Sequence, residues 1–352
     1  YKMPNDGSYD HYIQHIESLP LDTTPDVFGF HSNARITKDT KTTTSLFASV
    51  LLTQAGKGGG ESEDAEESGG GNSKENVITE VANSHLKKIP TVFDMEIAAL
   101  KYPIKWEESM NTVLVQELAR FNNLSTVISK SLGAIKDAVK GIIVLSSQLE
   151  KLGDSLFFGH IPELWLASSY PSLKSLAGYM EDLLERLEFM QQWLDTKAPS
   201  VFWISGFYFT SAFLTGTKQN FARSHSFPID NVAFDFTFMP QSDYTISPEN
   251  GVYIRGLFFD GARWNHEAAK LDDPIPKVLF SPAPIIWVEP KDRTKLSEYN
   301  CYDCPVYRTS ERWGILATTG HSTNFVLMIR VPSDRDGRIW IRAGIALLCA
   351  LD

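Results

Sequence analysis

The sequence has 352 residues, of which 43% are hydrophobic and 12% aromatic, so it can fill a sizeable core, and its length predicts two or three domains. The formal net charge of -10 argues against a nucleic-acid partner, and three cysteines are too few for a disulfide framework, which favours a reducing compartment. No apolar run of membrane length and no signal peptide is found, so we expect a soluble, cytosolic protein without a membrane partner, and its start at Tyr1 suggests a fragment.

The first 55 residues predict a short helix near residues 12–19, followed by a turn-rich segment in which Ser32 or Asn33 could cap the next helix. His11 and His15 lie one helical turn apart, which is compatible with a metal site. The residue after His11 is Tyr12, so the glutamate of a zinc-protease motif is missing. We therefore predict ordinary helix residues and no metal site here.

Residues 56–76 are rich in glycine and acidic residues and almost free of large apolar side chains. Such a segment cannot bury enough surface to offset its ordering entropy, so we predict a disordered acidic insertion. Its glycines do not match the phosphate-binding G-x-x-x-x-G-K-[ST] motif, and no other part of the sequence contains that motif. We therefore expect no nucleotide hydrolysis by this segment alone.

From 78 to 152 the apolar residues recur with a helical period. The repeat predicts one or two long packed helices, with an apolar stripe of Leu114, Leu118, Phe121, Leu124, Ile128, Leu132, Ile135, Val139 and Ile142. Polar residues interrupt this region at Gln116, Glu117, Arg120 and Asn122. They could form a recognition face, but we favour a solvated or intramolecularly paired helix face.

A further amphipathic helix is predicted over 170–193, with Pro171 at its first position, Leu173 on the apolar side and Asp182 and Arg186 on the opposite, polar side. The segment 199–230, which we call the clasp, follows and is unusually rich in aromatic residues. It separates a helical pattern from one of short alternating strands. If 207–223 is helical, Phe209, Phe213 and Phe221 share one face, and we predict that the clasp packs the two halves together.

The last 125 residues carry ten of the 18 prolines and several Asn-Gly or Asp-Gly turns. Alternating stretches at 232–239 and 251–258, together with apolar runs on both sides of 332–337, predict short strands. Many short strands joined by tight turns are typical of an antiparallel barrel or sandwich.

Three patterns in this half could carry chemistry. Cys301 and Cys304 have the spacing of a zinc knuckle or redox pair, but His321 is the only nearby further ligand. The segment 320–324 resembles a nucleophile elbow for two positions and then has Asn324 in place of glycine. Four acids, Asp260, Asp272, Asp273 and Asp303, fall where turns are expected. We predict no catalytic, cofactor-binding or metal-binding residue.

Several strings, read together and in order, resemble the C-terminal end of dynein heavy chains. They are TPDVFGFHSNARI (24–36), VLVQELARFNNL (113–124), YPSLKSLAGYMEDLLERLEFMQQWL (170–194), FWISGFYFTSAFLTGTKQNFAR (202–223), GVYIRGLFFDGARWN (251–265), CPVYRTSERWGILATTGHSTNFV (304–326) and WIRAGIALLCALD (340–352). TTGHSTNF and ALLCALD are most similar to axonemal heavy chains of the inner-arm type. Arg35, where many relatives have an acid, and the acidic insertion depart from the family pattern.

The resemblance implies an α+β protein with three parts. Residues 1–158 would be the later part of the sixth AAA+ module, of the small helical subdomain type, with the disordered acidic insertion at 56–76. Residues 159–227 would be a helical strut, and 228–352 an antiparallel β-barrel, together forming the C-terminal domain. The ATP and magnesium sites and the microtubule-binding stalk of the family lie upstream, so no cofactor is expected in this segment.

The function that the resemblance implies is non-catalytic: bracing of the AAA+ ring and modulation of ATP-driven microtubule motility in cilia and flagella. The expected partners are the rest of the motor ring, microtubules through upstream parts, and dynein intermediate or light chains. An alternative hypothesis is a partner-recognition β module that anchors axonemal components through Arg312, Trp313 and His321. A thiol or zinc enzyme centred on Cys301 and Cys304 is a third.

Overall fold

The computed structural model describes residues 7–19, 21, 23–57, 74–316 and 322–351. Within these ranges the helices are α1 (Tyr9–Ser18), α2 (Ala34–Lys57), α3 (Lys74–Lys88), α4 (Met95–Lys101), α5 (Ser109–Val139), α6 (Ser147–Phe157), α7 (Glu163–Leu166), α8 (Leu176–Asp195), α9 (Thr210–Ser224) and α10 (Gly337–Ala343). The strands are β1 (Val201–Trp203), β2 (Val232–Phe238), β3 (Val252–Arg255), β4 (Phe258–Asp260), β5 (Arg263–Asn265), β6 (Lys270–Asp272), β7 (Phe280–Pro282), β8 (Ile286–Asp292), β9 (Cys301–Tyr307), β10 (Phe325–Pro332) and β11 (Ala346–Leu348).

The long helix α5 forms the centre of the helical half. It begins where the side chain of Glu108 accepts a hydrogen bond from the Met110 amide, and it ends before Gly141, whose φ of +73° suits glycine. Its apolar stripe is buried from Leu114 to Ile135, which confirms the predicted helix. Ile142 lies beyond the helix end and is exposed.

The helices on either side of the predicted acidic insertion extend further than predicted. Helix α2 continues through Gly56 and Lys57, and α3 already begins at Lys74. Residues 58–73, on which most of the prediction of disorder falls, lie outside the described residues.

The strands form open sheets, so the predicted closed antiparallel barrel is wrong for the residues that the structure describes. One sheet has the order β1-β3-β8-β2, a second has β10-β9-β11-β4-β7, and β5 pairs with β6 alone. Two pairs are parallel: β1 with β3, and β11 with β9. The α+β class is confirmed, but the alternating pattern specifies neither strand order nor closure.

A bend at Gly256 lets one apolar run contribute a strand to each of the two larger sheets. The run 252–260 bends at Gly256, whose φ is +91°, and thereby places β3 in the first sheet and β4 in the second. A Cβ on Gly256 would lie 2.4 Å from Cδ1 of Trp203, so the close approach of the clasp also requires glycine.

The structure differs from the sequence predictions at two helices. Helix α8 begins at Leu176 rather than at Pro171, because the hydroxyl of Ser175 accepts the Gly178 amide and provides the cap, and Leu173 is exposed. Near the end, Gly337–Ala343 is helix α10 where a strand was predicted. Asp336 caps it by accepting from the Arg338 amide, and only the short β11 follows.

A single hydrophobic core joins the two halves of the molecule. It includes buried side chains of α3, α5, α6, α8 and α9, the clasp and both larger sheets, from Ile78 to Cys349. The clasp supplies Phe202, Phe207 and Phe213 to this core. The prediction that the clasp packs the halves together is therefore confirmed, although its helix begins at Thr210. Among the described residues, no helix combines the length and apolarity needed to cross a membrane.

Candidate functional site

A completely buried carboxyl group of α5 binds the backbone of the clasp. Glu117 of α5 is completely buried, and its carboxylate accepts hydrogen bonds from the backbone amides of Tyr208 and Phe209, the second at 3.0 Å. Phe209 precedes α9 and has no side-chain acceptor that could cap that helix. Glu117 therefore supplies, from another helix, the acceptor that the N-terminus of α9 lacks.

Burial and the neighbouring groups shift the pKa of Glu117 in opposite directions. Burial raises the pKa of its carboxyl group above the ordinary value, and the amides of Tyr208 and Phe209 offset this only in part, with smaller help from the charges of Arg120 and Arg308. Nη1 of Arg120, on the same helix, lies 3.3 Å from Oε1 of Glu117.

Arg308, directly after β9, holds the same segment of the clasp from the sheet side. Its Nη1 donates to the carbonyl of Tyr208 at 2.9 Å. Burial lowers the pKa of Arg308, while nearby groups that include Glu117 work in the other direction. The peptide groups of Tyr208 are thus bonded to α5 on one side and to the end of β9 on the other. We call the group of Glu117, Tyr208, Arg308 and the pair described next the junction.

Helix α8 contributes a buried ion pair to the junction. Arg186 Nε donates to Asp182 at 2.7 Å, and its guanidinium lies 4.0 Å from the centre of the Tyr170 ring and donates to the carbonyl of Phe207 at 3.4 Å. Burial would raise the pKa of Asp182, but Arg186 and then Lys174 outweigh it and lower that pKa. Asp182 and Arg186, which were predicted on the polar side of α8 opposite its apolar stripe, are in fact buried.

A second link crosses from the N-terminal segment to the sheet half. The Asn33 side chain donates to the carbonyls of Ile275 and Val278 and accepts from the Lys277 amide, each at 2.9 Å. Asn33 is a candidate helix cap in the sequence, but its side chain makes these long-range bonds instead and is 3% exposed. We call residues 28–33 the strap.

His31 of the strap lies over β4. Its Nε2 is 3.8 Å from Asp260, and Arg312 also bonds Asp260. Burial lowers the pKa of His31, against the attraction of Asp260 and with a contribution from Arg312. Gly261, with φ of +80°, leaves room for the His31 ring, because a Cβ there would lie 2.4 Å from Cδ2.

The candidate residues for chemistry do not converge. Cys301 and Cys304 are three positions apart on β9, so their side chains point to opposite faces, and burial raises the pKa of both thiols, which disfavours reactive thiolates. Across the described ranges no group of three His, Cys, Asp or Glu side chains could hold a metal ion. His321 lies outside the described residues.

The candidate acids have structural partners or face solvent. Asp260 and Asp272 lie at strand ends, and Asp272 pairs with Arg263 at 2.8 Å. Asp273 pairs with Arg335, and Asp303 is exposed on β9.

The polar positions predicted on α5 behave mainly as an intramolecularly paired face. The amide of Asn122 makes two hydrogen bonds with the Phe93 backbone, at 2.7 and 2.8 Å, and Glu117 binds the clasp. Gln116 is exposed. The paired interpretation is confirmed for Glu117 and Asn122.

Sequence reasoning missed Asp182, Arg186 and Arg308 as members of the junction. A signal for the first two was present: Tyr179, Asp182, Arg186 and Trp193 recur at helical spacing, so the acid and the base share a face with aromatic residues. Arg308 has no comparable sequence signal, because its position depends on strand pairing.

Comparison with known proteins identifies the family of the sequence. The family described as the C-terminal domain of the dynein heavy chain matches residues 40–349. The protein belongs to this family. It is 47% identical over 352 residues to human dynein axonemal heavy chain 12, and the match covers the whole of this sequence and 11% of that relative.

Two further relatives agree. Mouse dynein axonemal heavy chain 3 is 47% identical over 353 residues, covering the whole of this sequence and 8% of the relative. Human dynein axonemal heavy chain 1 is 44% identical over 343 residues, covering 97% of this sequence and 8% of the relative. The resemblance to axonemal dynein heavy chains is confirmed, and the sequence spans about a tenth of the length of these relatives.

Proposed function

We propose that this protein is the non-catalytic C-terminal module of an axonemal dynein heavy chain, which braces the AAA+ ring and modulates ATP-driven microtubule motility. The axonemal names of the relatives support a place in the axoneme of cilia and flagella, within the cytoskeleton. The expected partners are the rest of the motor ring, microtubules through upstream parts, and intermediate or light chains.

The domain assignment remains part of this proposal. Residues 1–158 would belong to the sixth AAA+ module and 159–352 to the C-terminal domain, with a helical part to residue 227. No ATP or magnesium site is assigned to the segment, and no residue of it is assigned a bond-making role. The lack of a Walker A string in the 352 residues supports this assignment.

The observation that carries the mechanical proposal is the burial of Glu117 between the two halves. A carboxyl group without exposed surface, bonded to two amides of another element, resists separation of those elements, because both elements would be left with unpaired polar groups. The strap adds a second connection through Asn33. Together the links would make α5, the clasp and the sheets move as one body.

The test uses a complete heavy-chain motor carrying Glu117→Ala together with Asn33→Ala. We expect ATP hydrolysis to continue while microtubule gliding velocity falls, because motion of the ring is less well coupled to the module. Glu181→Ala, an exposed position on α8, is the matched control. Unchanged velocity and ATPase coupling in the double variant, or ATP hydrolysis by residues 1–352 alone, would refute the proposal.

A second function is favoured by one exposed patch. Trp313, Ile315 and Leu316 are 67%, 68% and 75% exposed, which suits recognition of an axonemal partner. Arg312, in contrast, binds Asp260 and the Gly344 carbonyl within the same molecule. Trp313→Ala should then reduce incorporation into axonemes without changing the ATPase of the purified motor, whereas normal incorporation would exclude this role.

A further inference from the structure

The strap is held against the sheet half mainly by polar contacts. Phe28 and Phe30 within it are 66% and 50% exposed, so its aromatic side chains bury only part of their surface. Asn33 bonds the backbone of residues 275–278, and His31 lies over β4. Residues 29–33 belong to no helix or strand. A few side chains therefore decide whether the strap stays docked.

The ring of His31 lies in a site that suits its neutral form. Its side chain is 9% exposed, and its Nδ1 is buried without a hydrogen-bond partner among the described residues. The 3.8 Å between Nε2 and Oδ1 of Asp260 is too long for a hydrogen bond. Protonation makes both ring nitrogens donors, so the N–H at Nδ1 would be buried without an acceptor. Burial accordingly lowers the pKa of His31.

Asp260 does not compensate for the charge of a protonated His31. Its carboxylate attracts an imidazolium, but it already accepts a hydrogen bond from Nη2 of Arg312. The positive charge of Arg312 lowers the pKa of His31, in the same direction as burial. One carboxylate would thus be shared by two cations, which leaves a net positive charge in a place with little water.

Other charged groups near the strap do not change this balance. In α2, the side chains of Arg35 and Asp39 lie 3.8 Å apart, so their charges largely cancel. Arg342 of α10 lies against the strap, with its Cβ 3.7 Å from the position that a Cβ of Gly29 would take. Arg342 and Lys277 are both exposed, so solvent screens their charges, and neither attracts a protonated ring.

Arg312 connects the strap contact to an exposed segment. Its side chain bonds Asp260 and the carbonyl of Gly344 at the end of α10. Its φ of +61° is left-handed, a conformation that is strained for a residue other than glycine and persists only where its surroundings hold it. With the strap docked, the Asp260 side chain is 14% exposed. An undocked strap would open the ion pair to water, where such pairs stabilise little, and Trp313 follows directly.

We propose that the strap is an acid-sensitive latch: protonation of His31 releases residues 28–33 from β4, and the release frees Arg312 and moves the segment 309–316. The ordinary pKa of histidine is 6.5 and that of docked His31 is lower. Docking is therefore fully stabilised above pH 6.5 and weakens as the pH falls below it. Because one group titrates, the docking equilibrium shifts by at most about tenfold per pH unit.

Hydrogen exchange in the complete heavy-chain motor tests the latch. Exchange rates of peptides covering 28–33 and 309–316 are measured at about pH 7.5 and about pH 5.5, in the wild type and in His31→Gln, whose side chain stays neutral at both. The ratio of the wild-type rate to the variant rate cancels the intrinsic pH dependence of exchange. We expect this ratio to rise about fivefold in both peptides on acidification, even if the variant holds the strap less well. A ratio that does not change with pH would overturn the proposal.

Two further variants separate the latch from a general sensitivity to acid. His266→Gln, at an exposed histidine between β5 and β6, should leave the ratio of wild-type to variant rates near one at both pH values. Asn33→Ala releases the strap at neutral pH without altering the side chains of His31 and Arg312. It should speed exchange in both peptides by about threefold or more, because three hydrogen bonds are lost. Faster exchange confined to 28–33 would overturn the coupling to the segment 309–316.

Discussion

At the scale of single residues, the junction depends on polar groups that are costly to bury and therefore costly to separate from their partners. Glu117 binds two amides, Arg308 binds the carbonyl of the same segment, and Arg186 lies between Asp182 and aromatic rings. A paired buried group adds little to the free energy of unfolding. Removing one partner lowers that free energy much more, because the other partner stays buried and unpaired. Substitutions that remove one partner should therefore have large effects.

Glu117→Ala should lower the free energy of unfolding by about 3 kcal/mol, because the amides of Tyr208 and Phe209 lose their acceptor in a buried place. Chemical unfolding of the protein measures this loss. The exposed Glu181→Ala should change the free energy by less than about 0.5 kcal/mol. If Glu117→Ala also changed the free energy of unfolding by less than about 0.5 kcal/mol, the carboxylate would not be a structural link.

The ion pair on α8 predicts a pH dependence. The pKa of Asp182 is lowered below its ordinary value of 3.8, so its stabilisation is present above that value and is lost as the pH falls through the lower folded-state pKa. Asp182→Asn should therefore destabilise the protein most near neutral pH, and the difference from the wild type should shrink below about pH 4. Unfolding at several pH values measures this difference.

Glu117 should show the opposite pH dependence from Asp182. Its pKa is raised, so its ionisation lowers the free energy of unfolding as the pH rises through the shifted value. The exposed Glu185→Gln is the control for Asp182→Asn and should show little effect at either end of the range. A difference for Asp182→Asn that stays constant down to about pH 3 would contradict the assigned ion pair.

At the scale of elements, α5 and α9 cross so closely that a larger residue at the crossing would force them to move. A Cβ on Gly216 of α9 would lie 3.1 Å from Cγ2 of Val113 and 3.3 Å from Cε of Met110. Gly133 of α5, in contrast, has no atom within 4 Å of that position apart from its chain neighbours and the backbone of its own helix. The two glycines therefore have different roles in helices that pack in the same core.

Gly216→Leu should destabilise the protein by about 1–3 kcal/mol, because the larger residue forces α5 and α9 apart. Gly133→Ala should stabilise it by about 0.5–1 kcal/mol, because alanine has less freedom in the unfolded state and meets no obstacle. Thermal and chemical unfolding of the two variants measure both effects. Opposite signs are required, so a loss in both variants would contradict this account of the crossing.

At the scale of the whole molecule, the continuous core predicts cooperative unfolding in spite of the length. Proteins of this size often unfold in separate steps, but buried residues of α5 and of β9 and β10 belong to one cluster. Hydrogen exchange at increasing denaturant should therefore show peptides of α5 and of β10 losing their protection at the same concentration. Loss of the sheet peptides well before α5 would mean that the halves are separate cooperative units.

The sequence by itself determined the class of the protein, its helical first half, the stripe of α5, the packing role of the clasp and the family. These depend on local periodicity, turn residues and ordered strings, all of which can be read along the sequence. Strand order, the two parallel pairs and the absence of barrel closure in the described sheets depend on which distant segments meet, and alternation carries no such information.

Only the tertiary structure decided the junction and the strap. Glu117, Arg308 and Asn33 are ordinary polar residues in sequence, and their partners lie 91, 100 and more than 240 positions away. Burial made them important, because a polar group removed from water must find a partner wherever the fold places one.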